Sequence, residues 1–287
     1  MKRVVMTPNP YRDKNFKTVL AARDRLEKLG VETHICLPFD VDKSFDLPKN
    51  VPFEDIHREL PRAEMLICFG GDGTILHASK AAARAGIPIL GVNIGTMGFM
   101  AELENTELDL LDKLARNEYE IDRRMMLDVK VIREGQTLLE ETCLNDVVVA
   151  KGAVARIVHL SVFCDGVQAL SYGGDGLIVA TPTGSTAYNL SAGGPIVEPE
   201  ARNILITPIC AHDIQSRGIV ASDQRVVSVK IGKIGRKNAF VSADGGRAMR
   251  LNTGDTVVVS RSKLETQLVR IKDRSFYDII SNKFRNQ

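Results

Sequence analysis

The chain has 287 residues, enough for two hydrophobic cores. Its 38 Lys and Arg against 36 Asp and Glu leave no basic surplus of the kind that nucleic acids or anionic membrane surfaces select. The five cysteines, Cys36, Cys68, Cys143, Cys164 and Cys210, are odd in number, scattered and mostly inside apolar runs, which fits buried free thiols in a reducing compartment and gives no zinc-site spacing.

In chain order, residues 3–7 (RVVMT) read as a first strand closed by the Asn9-Pro10 turn signal. From Asp13 to Leu29 the apolar residues Phe16, Val19, Leu20, Leu26 and Leu29 recur at helical spacing, with Gly30 as a cap. ETHICL is a second strand, and a less regular stretch with Pro48, Pro52 and Pro61 follows. Met65 to Phe69 is an apolar run broken at once by Gly70-Gly71-Asp72-Gly73, and Thr74 opens a helical segment reaching Ala85. IPILGVN is a further strand, and Thr106 to Asn117 a helix with Leu108, Leu111 and Leu114 on one face. Strands alternating with helices imply a parallel sheet covered by helices. Near Arg124 the texture changes to short β-branched runs, among them DVVVA, GLIVAT, DTVVVS and QLVRI. Turn signals separate many of them, including Glu134-Gly135, Asp165-Gly166, Asp244-Gly245 and Thr253-Gly254. Only Gly184 to Ala192 looks helical in this half, and Arg274 to Phe284 reads as a closing amphipathic helix. The expected organisation is an α/β domain over 1–123, a β-rich domain over 124–272, and a C-terminal helix over 273–287 that returns to the first domain. The opening run, MKRVVMTPNP, is too short in apolar residues for a signal peptide and no stretch approaches a membrane span, so a soluble cytoplasmic protein is expected.

Four stretches ask for more than structure. A strand that passes through FGGDGT into a helix presents backbone N–H groups to an anion. Asp72 in its middle would repel a phosphate unless a metal ion or a proton transfer gives it work; the structural alternative is a tight turn with a solvated aspartate. Asn93-Ile94-Gly95-Thr96-Met97-Gly98-Phe99 follows another parallel strand, where ligands of open α/β sheets gather, or it is an ordinary loop with Phe99 in the core. Asn145-Asp146 interrupts an apolar strand and offers donors and acceptors suited to vicinal hydroxyls, or it is a turn. Gly173-Gly174-Asp175-Gly176 leads through LIVA into Thr181-Pro182-Thr183-Gly184-Ser185-Thr186-Ala187-Tyr188, a hydroxyl-rich turn that can supply caps and free N–H groups. The histidines (His34, His57, His77, His159, His212) form no evident metal set.

Together these stretches resemble the NAD kinases: GGDGT (Gly70–Thr74), N-x-G-x-x-G-F (Asn93–Phe99), the Asn-acidic pair (Asn145, Asp146) and GDGLIVATPTGSTAYNLSAGGP (Gly174–Pro195) stand in that family's order and spacing. The resemblance runs from the first strand to Arg274-Ser275-Phe276 and is weakest around 38–62. GGDGT alone is shared with diacylglycerol, sphingosine and phosphofructo-kinases; TPTGSTAY is specific. The resemblance implies a Rossmann-like parallel-sheet domain of the diacylglycerol-kinase-like superfamily with a β-rich C-terminal domain. It also implies phosphoryl transfer from ATP, or in some members polyphosphate, to the 2′-hydroxyl of the adenosine ribose of NAD, with a divalent metal ion, Mg²⁺ first among them. By matching, Asp72 is the base, and Gly70, Gly71, Gly73 and Thr74 hold phosphate. Asn145 and Asp146 hold the ribose, Phe99 borders the adenine, and Gly73, Asp175, Thr183, Thr186, Ala187, Tyr188, Ser191 and Asp244 line the dinucleotide site. Family members form dimers or tetramers, so a homo-oligomer is expected, with no nucleic-acid or membrane partner. Two departures stand out: Asp146 where Glu is commoner, and Arg217-Gly218 where Arg-Pro often occurs. The rival readings are a lipid kinase and a non-catalytic NAD(P) sensor.

Overall fold

The computed structural model describes residues 1–38, 47–48, 51–95, 98–152, 157–212, 217–233 and 238–285. It divides into two compact units, Met1–Arg123 with Thr266–Gln287, and Arg124–Glu265.

The first unit is built on a parallel sheet in the order Phe53–Glu54, Glu32–Cys36, Arg3–Pro8, Met65–Gly70, Ile89–Asn93. In register, Val5 lies opposite Leu66 and Ile67 opposite Leu90. Every residue of Met65–Gly70 is buried, as a central strand covered on both faces requires. Ile89–Asn93 is also flanked by Leu103–Glu104, and Ile89 pairs with Leu268 in parallel. The first helix is Lys17–Lys28, later than the apolar spacing alone predicts. Asn15 and Phe16 have φ of 57° and 56°, which break the helix, and the Asp13 carboxylate accepts from the amides of Thr18 and Val19 instead. Val19, Ala22 and Leu26 turn its buried stripe to the core.

The predicted helix over 106–117 is shorter and split, Leu108–Leu110 then Leu111–Ala115, and Asn117 with φ 56° lies beyond its end. The C-terminal helix Phe276–Arg285 groups with this unit. Ser275 and Asp278 form a reciprocal cap at its start: the Asp278 amide donates to Ser275 Oγ and the Ser275 amide to Asp278 Oδ2, each at 3.1 Å.

The second unit holds antiparallel pairings throughout. One sheet runs Ile219–Ser222, Asn203–Ile209, Gly176–Ala180, Asp146–Lys151, Ala239–Ala243, Met249–Leu251. The other places Val158–Cys164 between Val167–Gly174 and Val227–Ile231, which pairs in turn with Thr256–Arg270. DTVVVS and QLVRI, which read as two runs, are parts of that one strand. Alternating residues from both sheets share one core, with Val147, Val149, Leu177 and Val179 beside Leu160, Val162, Val229 and Val257. Glu134-Gly135, Asp165-Gly166 and Asp244-Gly245 all have positive φ at both positions, the backbone that tight hairpin turns require.

Candidate active site

In the first unit, the helix predicted to open at Thr74 opens at Asp72 and runs to Ala85. Gly71, in extended backbone (φ −110°, ψ −169°), is the cap residue, so Asp72 is the first helical position. A carboxylate there is favoured by the helix dipole. Its side chain is half-buried and fixed: Oδ2 accepts from the Phe99 amide at 2.7 Å and Oδ1 from the Met100 amide at 3.0 Å. Gly98 makes that approach possible, since a Cβ there would stand 1.9 Å from Asp72 Oδ1. Asn9 ties the turn to the neighbouring strand by donating from Nδ2 to Thr74 Oγ1 at 3.2 Å. Asn93 is buried and donates to the Gly95 carbonyl and to Glu104. Phe99 is half-exposed rather than sunk in the core, with Lys283 Nζ 4.5 Å from its ring centroid. Thr96 and Met97 lie outside the described residues.

In the second unit, Asn145 and Asp146 are set by two clamps. Thr181 donates its amide to the Asn145 carbonyl and its hydroxyl to the Leu144 carbonyl, and Gly184 donates back to Thr181 Oγ1 at 3.0 Å. From the other side the Asp244 carboxylate accepts three successive amides, those of Leu144 (2.8 Å), Asn145 (2.8 Å) and Asp146 (3.2 Å). That bonding directs Asp244 toward the 144–146 backbone, whereas sequence matching places it toward ligand. Asp146 is 5% exposed, and burial, followed by the charge of Asp244, pushes its carboxyl up to about 7. Asn145 Oδ1 is buried without a hydrogen-bond partner among the described residues, an acceptor left over by the fold.

The segment predicted as one helix over 184–192 is a tight turn, Thr183–Thr186, and a short helix, Tyr188–Ser191, separated by Ala187 with ψ −131°. Thr183 is buried, Thr186 and Ala187 are half-buried, and Tyr188 and Ser191 are exposed.

Two family matches cover most of this chain. The ATP-NAD kinase N-terminal domain matches residues 42–119, and the ATP-NAD kinase C-terminal domain residues 144–271. Curated relatives named NAD kinase include one from Acetivibrio thermocellus, 34% identical over 99% of this chain and 97% of its own length. Another, from Lachnoclostridium phytofermentans, is 38% identical over 99% of each. The chain belongs to the NAD kinase family. Among solved structures, the NAD kinase from Archaeoglobus fulgidus in complex with ATP superposes with a TM-score of 0.73, at 26% identity over 99% of each chain. Yeast NADH kinase shares the fold, with a TM-score of 0.82 over 98% of this chain and 86% of its own, at 24% identity.

Against the NAD kinase motifs, the structure brings Gly70, Gly71, Asp72, Gly73 and Thr74 together with Phe99 in the first unit. In the second it brings Asn145 and Asp146 together with Asp244 and, through Thr181 and Gly184, with the Thr183–Thr186 turn. Asp175 is apart from these. It precedes the strand Gly176–Ala180, whose far end lies opposite Asp146, and it is ion-paired to Lys151 at 2.6 Å. Five residues of strand separate the two ends by roughly 17 Å.

Sequence reading missed Asn189. It is fully buried, donates to the Ser185 and Pro195 carbonyls, and accepts from Thr207 Oγ1 at 2.6 Å, so it knots the TPTGSTAY segment to the sheet. A polar residue flanked by exposed Tyr188 gave only one signal, its helical spacing from Ser185. Among the described residues one group has donors spaced for a metal ion, His34, Glu54 and Glu59, in the first unit. It is an ion-pair network: Arg3 pairs with Glu59 and Glu32, and His34 sits between Glu32 and Glu54, which hold its imidazole above the usual range despite desolvation.

Proposed function

We propose that this member of the NAD kinase family makes NADP by moving the γ-phosphoryl group of ATP to the 2′-hydroxyl of the adenosine ribose of NAD. The observation that carries the reading is the Asp72 carboxylate, held by two amides at the first position of a glycine-turned helix. A secondary hydroxyl is a weak nucleophile, so a carboxylate that takes its proton as the new O–P bond forms, while the bond to ADP breaks, lowers the barrier. Each Asp72 oxygen accepts one amide hydrogen bond and keeps lone-pair capacity for that proton. The Asp72 and Gly73 amides, the first two of the helix Asp72–Ala85, precede any intrahelical acceptor and suit phosphate oxygens, with Gly70, Gly71 and Thr74 around them, whereas the Thr74 amide is already given to the Gly71 carbonyl at 2.9 Å. Mg²⁺ enters as part of the MgATP substrate, since this ion keeps much of its water and is usually held through phosphates with one or two carboxylates. Its role is to offset triphosphate charge.

In the second unit, Asn145 and Asp146 hold the ribose hydroxyls, the unsatisfied Asn145 Oδ1 accepting one of them. Thr183, Thr186, Ala187, Tyr188 and Ser191 contact the dinucleotide, and by motif matching Phe99 borders an adenine ring. Asp175, a strand length from Asp146, serves a distant part of the ligand. The same reading places the enzyme in the cytoplasm as a homodimer or homotetramer; no described helix is long and apolar enough to cross a membrane.

The decisive experiment incubates the protein with ATP, Mg²⁺ and NAD and couples product to an NADP-specific dehydrogenase. NADP from the wild type, slowed by roughly 100- to 10,000-fold with Asp72→Asn and lost with excess chelator, is expected; wild-type turnover no faster than that of Asp72→Asn sinks the reading.

A further inference from the structure

We infer that Arg270 is a positioning residue for Asp72, acting through the Met100 peptide. The inference rests on Asp72 being the base. Arg270 lies at the end of the strand Thr256–Arg270, in the part that belongs to the first unit. Its NH1 donates to the Met100 carbonyl at 3.2 Å, and the amide of the same residue donates to Asp72 Oδ1 at 3.0 Å. One residue therefore bonds the guanidinium through its carbonyl and the carboxylate through its amide.

The guanidinium is itself fixed. NH1 also reaches Glu102 Oε2 at 3.3 Å, while Nε and NH2 fork onto Asp122 Oδ2 at 3.1 and 3.0 Å. Glu102 is buried, and its other oxygen accepts the Ile271 and Lys272 amides at 2.9 and 2.7 Å. Residues 100–102 are thus laced to 270–272, and a lysine could not reproduce both halves of that fork.

The coupling to Asp72 is stiff in both directions. Moving the 98–100 backbone inward drives Gly98 into the carboxylate, because even its missing Cβ would stand 1.9 Å from Oδ1. Moving it outward breaks the two amide bonds. A misplacement of about 1 Å at a reacting group can cost on the order of a hundredfold in rate. An arginine and two acids, with the Glu102 side chain 5% and that of Asp122 14% exposed, carry a desolvation cost that packing alone would avoid with an apolar residue. Holding the base to a narrow position accounts for their presence.

The test is a double-mutant cycle on the full chain. Arg270→Gln and Arg270→Lys are made alone and with Asp72→Asn, and kcat and KM for NAD are measured by the coupled assay, with a thermal melt for each. Loss of kcat by roughly 10- to 100-fold is expected in the single variants, with KM within about twofold. Added to Asp72→Asn, Arg270→Gln should cost no more than about twofold, because the group it positions is gone. A kcat within about twofold of wild type, the same loss factor in both backgrounds, or a KM rise at unchanged kcat overturns the inference. Should Arg270→Gln fail to fold, Arg270→Lys carries the same cycle. Wild-type protein that makes no NADP, or Asp72→Asn as fast as wild type, overturns the underlying reading instead, and is seen before any Arg270 variant is assayed.

Discussion

Gly98 and Asp72 are in contact across 25 intervening residues, close enough that one methyl group on Gly98 would fall inside the van der Waals envelope of the carboxylate. The contact lets the Phe99 and Met100 amides close onto both oxygens.

Gly98→Ala therefore displaces Asp72 or its two donors, and kcat should fall by about a hundredfold or more. The far-UV circular dichroism should be unchanged, because the strand and helix on either side remain. Near-wild-type turnover of Gly98→Ala would show that the carboxylate need not sit where the two amides hold it.

Asp146 gives a pH signature. Burial, then Asp244, lifts its carboxyl from an ordinary 3.8 to about 7. Between those values the folded protein keeps a proton that the unfolded chain releases, so raising pH favours unfolding, and the cost is complete above about 7. The size is on the order of 4 kcal/mol. Asp146→Asn should remove this contribution. Denaturant titrations from pH 4 to 8 should find the variant gaining stability on wild type steadily up to about pH 7, and a pH-independent difference would refute the assignment.

Asp244 is both the source of part of that shift and the acceptor for three amides. Asp244→Ala leaves those N–H groups without their acceptor and should destabilise by about 2–4 kcal/mol. Asp244→Asn keeps one carbonyl-type oxygen and removes the negative charge beside Asp146. It should lose less stability and also flatten the pH dependence just described. Equal losses in the two variants would mean that the hydrogen bonds matter little.

Asn189→Ala removes the knot beneath the TPTGSTAY segment. About 2–4 kcal/mol of stability should go with it. Tyr188 and Ser191 lose their anchor, so KM for NAD should rise more than kcat falls. A variant with wild-type KM would uncouple Asn189 from the dinucleotide contacts.

How much of this was legible beforehand depended on distance along the chain. The apolar run Met65–Phe69 and the glycines after it announced a strand, a turn and a helix, because each signal is carried by adjacent residues. The helix start was misplaced by two residues, since Asp72 reads as turn chemistry until its carboxylate is seen bonded to amides 27 and 28 residues away. DTVVVS and QLVRI read as two strands because polar residues intervene, and only pairing partners on both sides reveal one continuous strand. The Asn145-Asp146 pair was visible as a break in β patterning, but the three-amide grip of Asp244 joins residues about a hundred positions apart. Arg270 did leave a trace, a lone charge inside QLVRI. No sequence signal said which carbonyl it would meet.

The first unit is assembled from both ends of the chain. Ile89 waits for Leu268, and Met100 for Arg270. A ribosome synthesising this protein has finished the GGDGT helix long before it supplies the segment from Thr266 onward. The Asp72 carboxylate can thus be held in place only once the segment that carries Arg270 has been made. A chain stopped at Glu265 would hold the second unit's sequence intact and a first unit lacking the strand segment up to Arg270 and the helix Phe276–Arg285. Such a product would lack the Arg270 bond to Met100 that helps to hold Asp72.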